Sequence, residues 1–187
     1  MTTPTDVLMA EHRVIEQVLD ALEAAAAVLA RGGNVRPGFF VDVSDFVSGF
    51  ADGCHHGKEE GVLFEAMIAH GAPPHGGAIA MMLDEHEQGR AYNRALRDAA
   101  RGLDGGDPQA RRHIVSNAKG YVALLRDHIV KEDEMLFPMA DELIPRPAAD
   151  AMLAAFDQVA RAERPDADAH FTALAARIVH EATTLSD

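Results

Sequence analysis

Apolar residues recur along most of this chain at alternating spacings of four and three, the signature of helices that each bury one face. Leu8, His12, Ile15, Leu19, Leu22, Ala26 and Leu29 form one such stripe. Ile79, Met82, His86, Gly89, Asn93, Leu96, Ala100 and Leu103 form a second, and Ile114, Ala118, Tyr121, Leu125, His128, Glu132, Met135 and Met139 a third. Breakers set the limits. Thr3-Pro4 reads as an N-cap followed by a first-turn proline, opening a helix that runs to Arg31 before Gly32-Gly33-Asn34. A second stretch runs from about Pro37 to His70 and a third from about Gly76 to Asp104. Asp107-Pro108 opens a fourth reaching about Glu142, in which Pro138 is expected to kink or tighten the last turns. Two shorter helices, about 148–162 and 167–185, flank Arg164-Pro165. Short connections make neighbouring helices antiparallel. The expected fold is therefore all-α: an up-down-up-down four-helix bundle over 1–145, with a C-terminal helical appendage of one or two helices over 146–187 packed on it.

The stripes are interrupted by polar residues, and an internal repeat organises them. The ten residues from His55 to Phe64 align without gaps on those from His128 to Phe137, both reading H-x-x-K-E-[ED]-x-x-L-F. Glu11-His12 and Glu85-His86 likewise begin two equally spaced segments that end at Leu22 and Leu96. The first and second pairs of long helices thus read as two copies of one helical hairpin.

Histidine and glutamate four residues apart share a helix face, so His55/Glu59 and His128/Glu132 can each reach a common point. Counted from the predicted helix ends, His12, His55, His86 and His128 fall in one layer, roughly 12–22 Å from the same end of the bundle. A lone histidine on an apolar stripe is ordinarily a hydrogen-bonded core residue, and a lone His/Glu pair can be a solvated face. Four histidines and two glutamates at one level are different. Two buried carboxylates repel each other and are costly unless cations neutralise them. Imidazole and carboxylate without thiolate suit iron, manganese or zinc. Six side chains exceed the needs of one tetrahedral zinc and match two metals bridged by carboxylates, with positions left open. Helix 2 leaves its register open: the repeat selects His55 and Glu59, whereas the stripe Phe46, Gly49, Gly53, His56, Glu60, Leu63 and Met67 selects His56 and Glu60. The pair not selected would stand behind the ligands or face solvent. Tyr121, two turns before His128, is a further candidate for a ligand or hydrogen-bond donor near the centre. The remaining histidines, His70, His75, His113, His170 and His180, fit no ligand pattern.

Composition narrows the functional classes. The chain has 187 residues, 48% of them hydrophobic and only 5% aromatic with no Trp, a bias toward helices rather than a β-sandwich. A net charge of −13 argues against nucleic-acid binding, which needs a basic footprint. One cysteine, Cys54, cannot form an internal disulfide and reads as a small core residue in a reducing compartment. No apolar run is long enough to span a membrane, and the start, MTTPTDVLMAEH, lacks a secretory pattern. A cytoplasmic location is expected.

These motifs resemble the hemerythrin-like family, the HHE cation-binding domain, over about residues 6–142. H-x-x-K-E-E-x-x-L-F and H-x-x-K-E-D-x-x-L-F-P match its second and fourth helices, His12 its helix 1 ligand and His86 its helix 3 ligand. The resemblance implies a non-haem centre of two Fe ions, oxo- or hydroxo-bridged, between four helices, with Glu59 and Glu132 bridging; Mn or Zn also suits the residue types. It implies small diatomic ligands or peroxide as partners, through oxygen or nitric oxide binding, catalase-like peroxide removal, or iron sensing, storage or repair without catalysis. There are departures. Oxygen-carrying members have a second histidine one turn after the helix 3 ligand, where this chain has Arg90. They also place a carboxylate five residues after the helix 4 histidine; here Glu132 stands at four and Asp133 at five. One histidine fewer implies a more symmetric and more open site, unlike that of a simple oxygen carrier.

Overall fold

The computed structural model describes residues 2–185, and every regular element among them is helical. Helix α1 (Pro4–Ala30) opens with a capping box: Asp6 N–H donates to the Thr3 hydroxyl at 3.1 Å, and Thr3 N–H to the Asp6 carboxylate at 2.8 Å. It stops at Gly32, where φ is +91° and the following Gly33 N–H reaches back to Val28 C=O at 3.0 Å. Helix α2 (37–69) is continuous but mixed. An α-helical start, Pro37–Phe46, passes into a ten-residue π-helical segment, Val47–His56, then a five-residue one, Glu59–Leu63, and an α-helical end, Phe64–Ala69. Helix α3 (Gly77–Asp104) is regular.

Helix α4 (110–143) is α-helical over Ala110–Lys131, π-helical over Glu132–Leu136 and α-helical over Phe137–Leu143. Asp107-Pro108 does not start it. The Asp107 carboxylate instead accepts from Gln109 N–H at 2.8 Å in a turn before Ala110. Pro138 follows the π turn, yet α2 has its own π turn at the repeat-equivalent Glu59–Leu63 with Glu65 in the proline's place. The widened turn therefore accompanies the H-x-x-K-E motif rather than the proline. Two further helices, α5 (Arg146–Glu163, with Pro147 in its first turn) and α6 (Ala167–Thr183), complete the chain. No helix among the described residues is long and apolar enough to cross a membrane.

Helices α1 to α4 pack as a bundle, but its two hairpins differ. Helices α3 and α4 lie along each other, whereas α1 meets α2 sparingly because α6 is seated against both. Phe171, Leu174, Ala175 and Ile178 of α6 are buried in the same core as Leu19, Phe46 and Leu125. A smaller core of Leu8, Leu63, Met67, Met82, Leu136 and Phe137 fills the end where α1 begins, with Met152 and Phe156 of α5 closing it. Between the two cores lies a layer of buried polar side chains. On α1 it falls between Leu8 and Ile15; on α2 between Cys54 and Leu63; on α3 between Met82 and Leu96; on α4 between Leu125 and Leu136.

Candidate metal centre

The buried layer consists of His12, His55, His56, Glu59, His86, His128 and Glu132, all at most 4% exposed. They form two clusters. Ligand-type atoms of His12, His55, Glu59 and Glu132 lie within 4.8 Å of one another, as do those of His56, Glu59, His86 and His128. Glu59 belongs to both: one oxygen is 3.3 Å from His55 Nε2, the other 3.4 Å from His86 Nε2. Glu132 also spans the groups, with one oxygen 3.2 Å from both His12 Nε2 and His128 Nε2. The Nε2 atoms of His86 and His128 face each other at 3.2 Å.

All five imidazoles are oriented from behind by a carboxylate at Nδ1, which makes Nδ1–H the donor and turns Nε2 inward. His12 donates to Asp133 at 2.7 Å, His55 to Glu11 at 3.0 Å, His86 to Glu60 at 2.7 Å and His128 to Glu85 at 2.9 Å; Asp52 stands 3.4 Å behind His56. Four of these pairs obey the repeat. Each hairpin sends the glutamate preceding its first histidine to the second histidine, while the acid following each buried glutamate crosses to the other hairpin. Lys58 and Lys131 hold Glu11 and Glu85 in matching ion pairs, and Arg13 and Arg90 hold Asp133 and Glu60.

The electrostatics favour cations. Seven carboxylates in and behind the layer face four cationic side chains, leaving a negative excess while the imidazoles are neutral. Without a metal, protons partly fill the role. Burial lowers the His55 imidazole, but Glu59 and Glu11 reverse this and push it up to about 10. His128 is raised in the same way: burial opposes it and Glu132 prevails. Burial and the neighbouring His86 push His56 down to about 4. Burial and mutual repulsion oppose ionisation of Glu59, and burial opposes that of Glu132, yet the facing histidines hold both below the ordinary glutamate range.

The residues fit a metal. His12 Nε2, His55 Nε2, His56 Nε2 and all four oxygens of Glu59 and Glu132 are buried without a hydrogen-bond partner among the described residues, their approaches lacking hydrogen-bond direction. Buried lone pairs that converge in this way are costly unless a cation takes them. The sequence model of the hemerythrin HHE cation-binding domain matches residues 3–140. The chain belongs to that family. Hemerythrin HHE membership implies metal binding, with iron the expected metal, by His and Glu groups of the kind clustered here. No curated protein and no solved structure matches the chain.

The structure brings together all six residues that the repeat selects, and adds His56. In α2 the pair selected by the repeat, His55 and Glu59, enters the layer, and the π-helical backbone, which departs from the 3.6-residue period behind the alternative stripe, accompanies the entry of His56 without Glu60. Both histidines and Glu59 enter the layer, and Glu60 stands behind His86. The expectation of one histidine fewer in a more symmetric, more open site is corrected likewise. His56 stands opposite Ile129 in the repeat and supplies a fifth imidazole, and the layer is closed to solvent. Arg90 occupies no cluster; it pairs with Asp52, Glu60 and Glu87, tying together the carboxylates behind His56 and His86.

Tyr121 lies in the larger apolar core beside Gly89, in neither cluster, and burial raises its phenol further from ionisation. Cys54 is buried outside the clusters, its thiol pushed up to about 11 by burial. His70 caps its helix, with Nδ1 2.8 Å from Ala66 C=O. Sequence reasoning missed the roles of Glu11, Glu85, Asp133 and Asp52. The repeated Glu-His pairs and the repeated acid after Glu59 and Glu132 were the available signal.

Proposed function

We propose that the chain is a di-iron protein that binds or turns over dioxygen, peroxide or nitric oxide, with catalase-like peroxide removal as its enzymatic form. The observation that carries this reading is the pair of clusters joined through Glu59 and Glu132. Five imidazole nitrogens and four carboxylate oxygens are fewer donors than two six-coordinate ions accept, so room remains for a small exogenous ligand. Iron bound there supplies Lewis acidity and one-electron redox change.

The chain's own contribution is orientation and exclusion. Glu11, Glu60, Glu85 and Asp133 fix the imidazoles, and the apolar cores on either side exclude water. Burial of the layer favours ligands of a few atoms, such as dioxygen, peroxide or nitric oxide, over larger substrates. The test is peroxide loss by the iron-loaded protein, which Glu132→Ala should abolish. Manganese or zinc in place of iron, or iron bound without reactivity, would instead favour a sensor or storage role.

A further inference from the structure

The ten-residue π segment of α2 has no counterpart in the repeat. The equivalent stretch of α4, residues 120–129, is α-helical, and there Ile129, the partner of His56, enters the apolar core. A π helix is ordinarily a single widened turn, because its hydrogen-bond geometry is poorer than that of an α-helix; a longer one needs support from packing. Helix α3 holds one side of the segment through Arg90 with Asp52 and Asn93 with Ser48, and the C-terminal helices hold another. Gly49, Gly53 and Gly57 line the side of α2 that meets the C-terminal helices. A Cβ on Gly49 would stand 2.2 Å from the Phe171 ring of α6, one on Gly53 2.5 Å from the Glu163 carboxylate of α5, and one on Gly57 3.0 Å from Val159 of α5. Phe171 also contacts the Phe50 ring within the segment, with centroids 6.0 Å apart. Helix α6 separates α1 from α2, while the related pair α3 and α4 pack directly and carry no long π segment.

We propose that the C-terminal helices, which lie beyond the family match, are a positioning element for the metal centre: Phe171 and Val159 hold the Val47–His56 π segment, and this brings His56 in beside His86, His128 and Glu59. The inference rests on the reading that the two clusters hold two metal ions. Its physical logic is that the wider turn reduces the angle between neighbouring side chains, so His55 and His56 can serve different clusters. Released from α5 and α6, the segment reverts toward α-helix and His56 turns away while His55, tied to Glu11, stays.

The experiment is an anaerobic Fe(II) titration of metal-free full-length protein, comparing the parent with Phe171→Ala, Val159→Ala and His56→Ala. Supporting the inference, the parent binds two ions, and all three variants keep the first affinity within about twofold while the second weakens about 10–100-fold, the usual cost of disturbing a supporting shell. Phe171→Leu should recover part of the loss. Met152→Ala, a truncation of α5 in the other core, should lower stability without changing the ratio of the two affinities. If Phe171→Ala does not fold, Val159→Ala and Phe171→Leu decide. Two unchanged affinities in the Phe171 and Val159 variants would overturn the positioning role alone. A parent that binds fewer than two ions would overturn the two-metal reading, and this inference with it.

Discussion

His56 stacks on His86, with ring centroids 3.8 Å apart and planes 8° from parallel. Helix α3 has Arg90 where oxygen-carrying relatives have a second histidine, and α2 supplies the additional imidazole beside α3's own. The fifth imidazole of the layer thus comes from α2 and lies with Glu59, His86 and His128. Arg90 supports that arrangement from behind through Asp52 and Glu60.

This geometry predicts an asymmetric defect. His56→Ala should weaken the metal held with His86 and His128 by at least about tenfold and leave the one held with His12 and His55 nearly unchanged. Metal stoichiometry after dialysis against a graded chelator series checks it; equal loss from both positions would contradict it.

The repeat also predicts equivalence. Glu11→Gln and Glu85→Gln each keep the size of a side chain behind one imidazole and remove its charge. Each should weaken metal binding about 10–100-fold, to similar extents, as outer-shell substitutions do. Competition titration with a metal indicator measures both; an effect on only one would show that the two hairpins do not work alike.

Acidity should oppose metal binding. His55 is raised to about 10, so at neutral pH it carries a proton that a metal must displace, and His128 is shifted in the same direction. His56, near 4, has none to release. Because protons compete, apparent Zn(II) affinity should increase from pH 6 to pH 9, by about tenfold per pH unit for each proton displaced. A flat profile would show that His55 is neutral before metal arrives.

Phe137 is fully buried and stacks on His12, with ring centroids 5.4 Å apart. Phe137→Ala should cost about 3–5 kcal/mol of folding stability by opening a cavity against the layer. Denaturant unfolding of the metal-free protein reads this directly, and a loss below about 1 kcal/mol would mean that the neighbouring core collapses into the gap.

The helices and most of the layer were legible because apolar stripes report a 3.6-residue period and His12, His86 and His128 interrupt those stripes at one depth. Helix ends were less so. At Asp107-Pro108 the aspartate closes a turn rather than capping, a choice that depends on where α3 leaves the chain. His56 was obscured for a different reason. Any periodic reading of α2 assumes a uniform turn, and the π segment packs against Phe171 and, just beyond its end, Val159, both more than 100 residues away in sequence. Glu11 and Glu85 adjoin ligands in sequence but serve histidines on other helices, which only the packed bundle specifies.

The most direct test of the central claim is metal analysis of protein produced with ample iron, combined with its visible absorption spectrum. The clusters joined by Glu59 and Glu132 predict about two irons per chain and near-ultraviolet bands of a coupled ferric pair, both lost in Glu132→Ala. Less than one metal equivalent per chain, or a single iron unaffected by Glu132→Ala, would contradict the account.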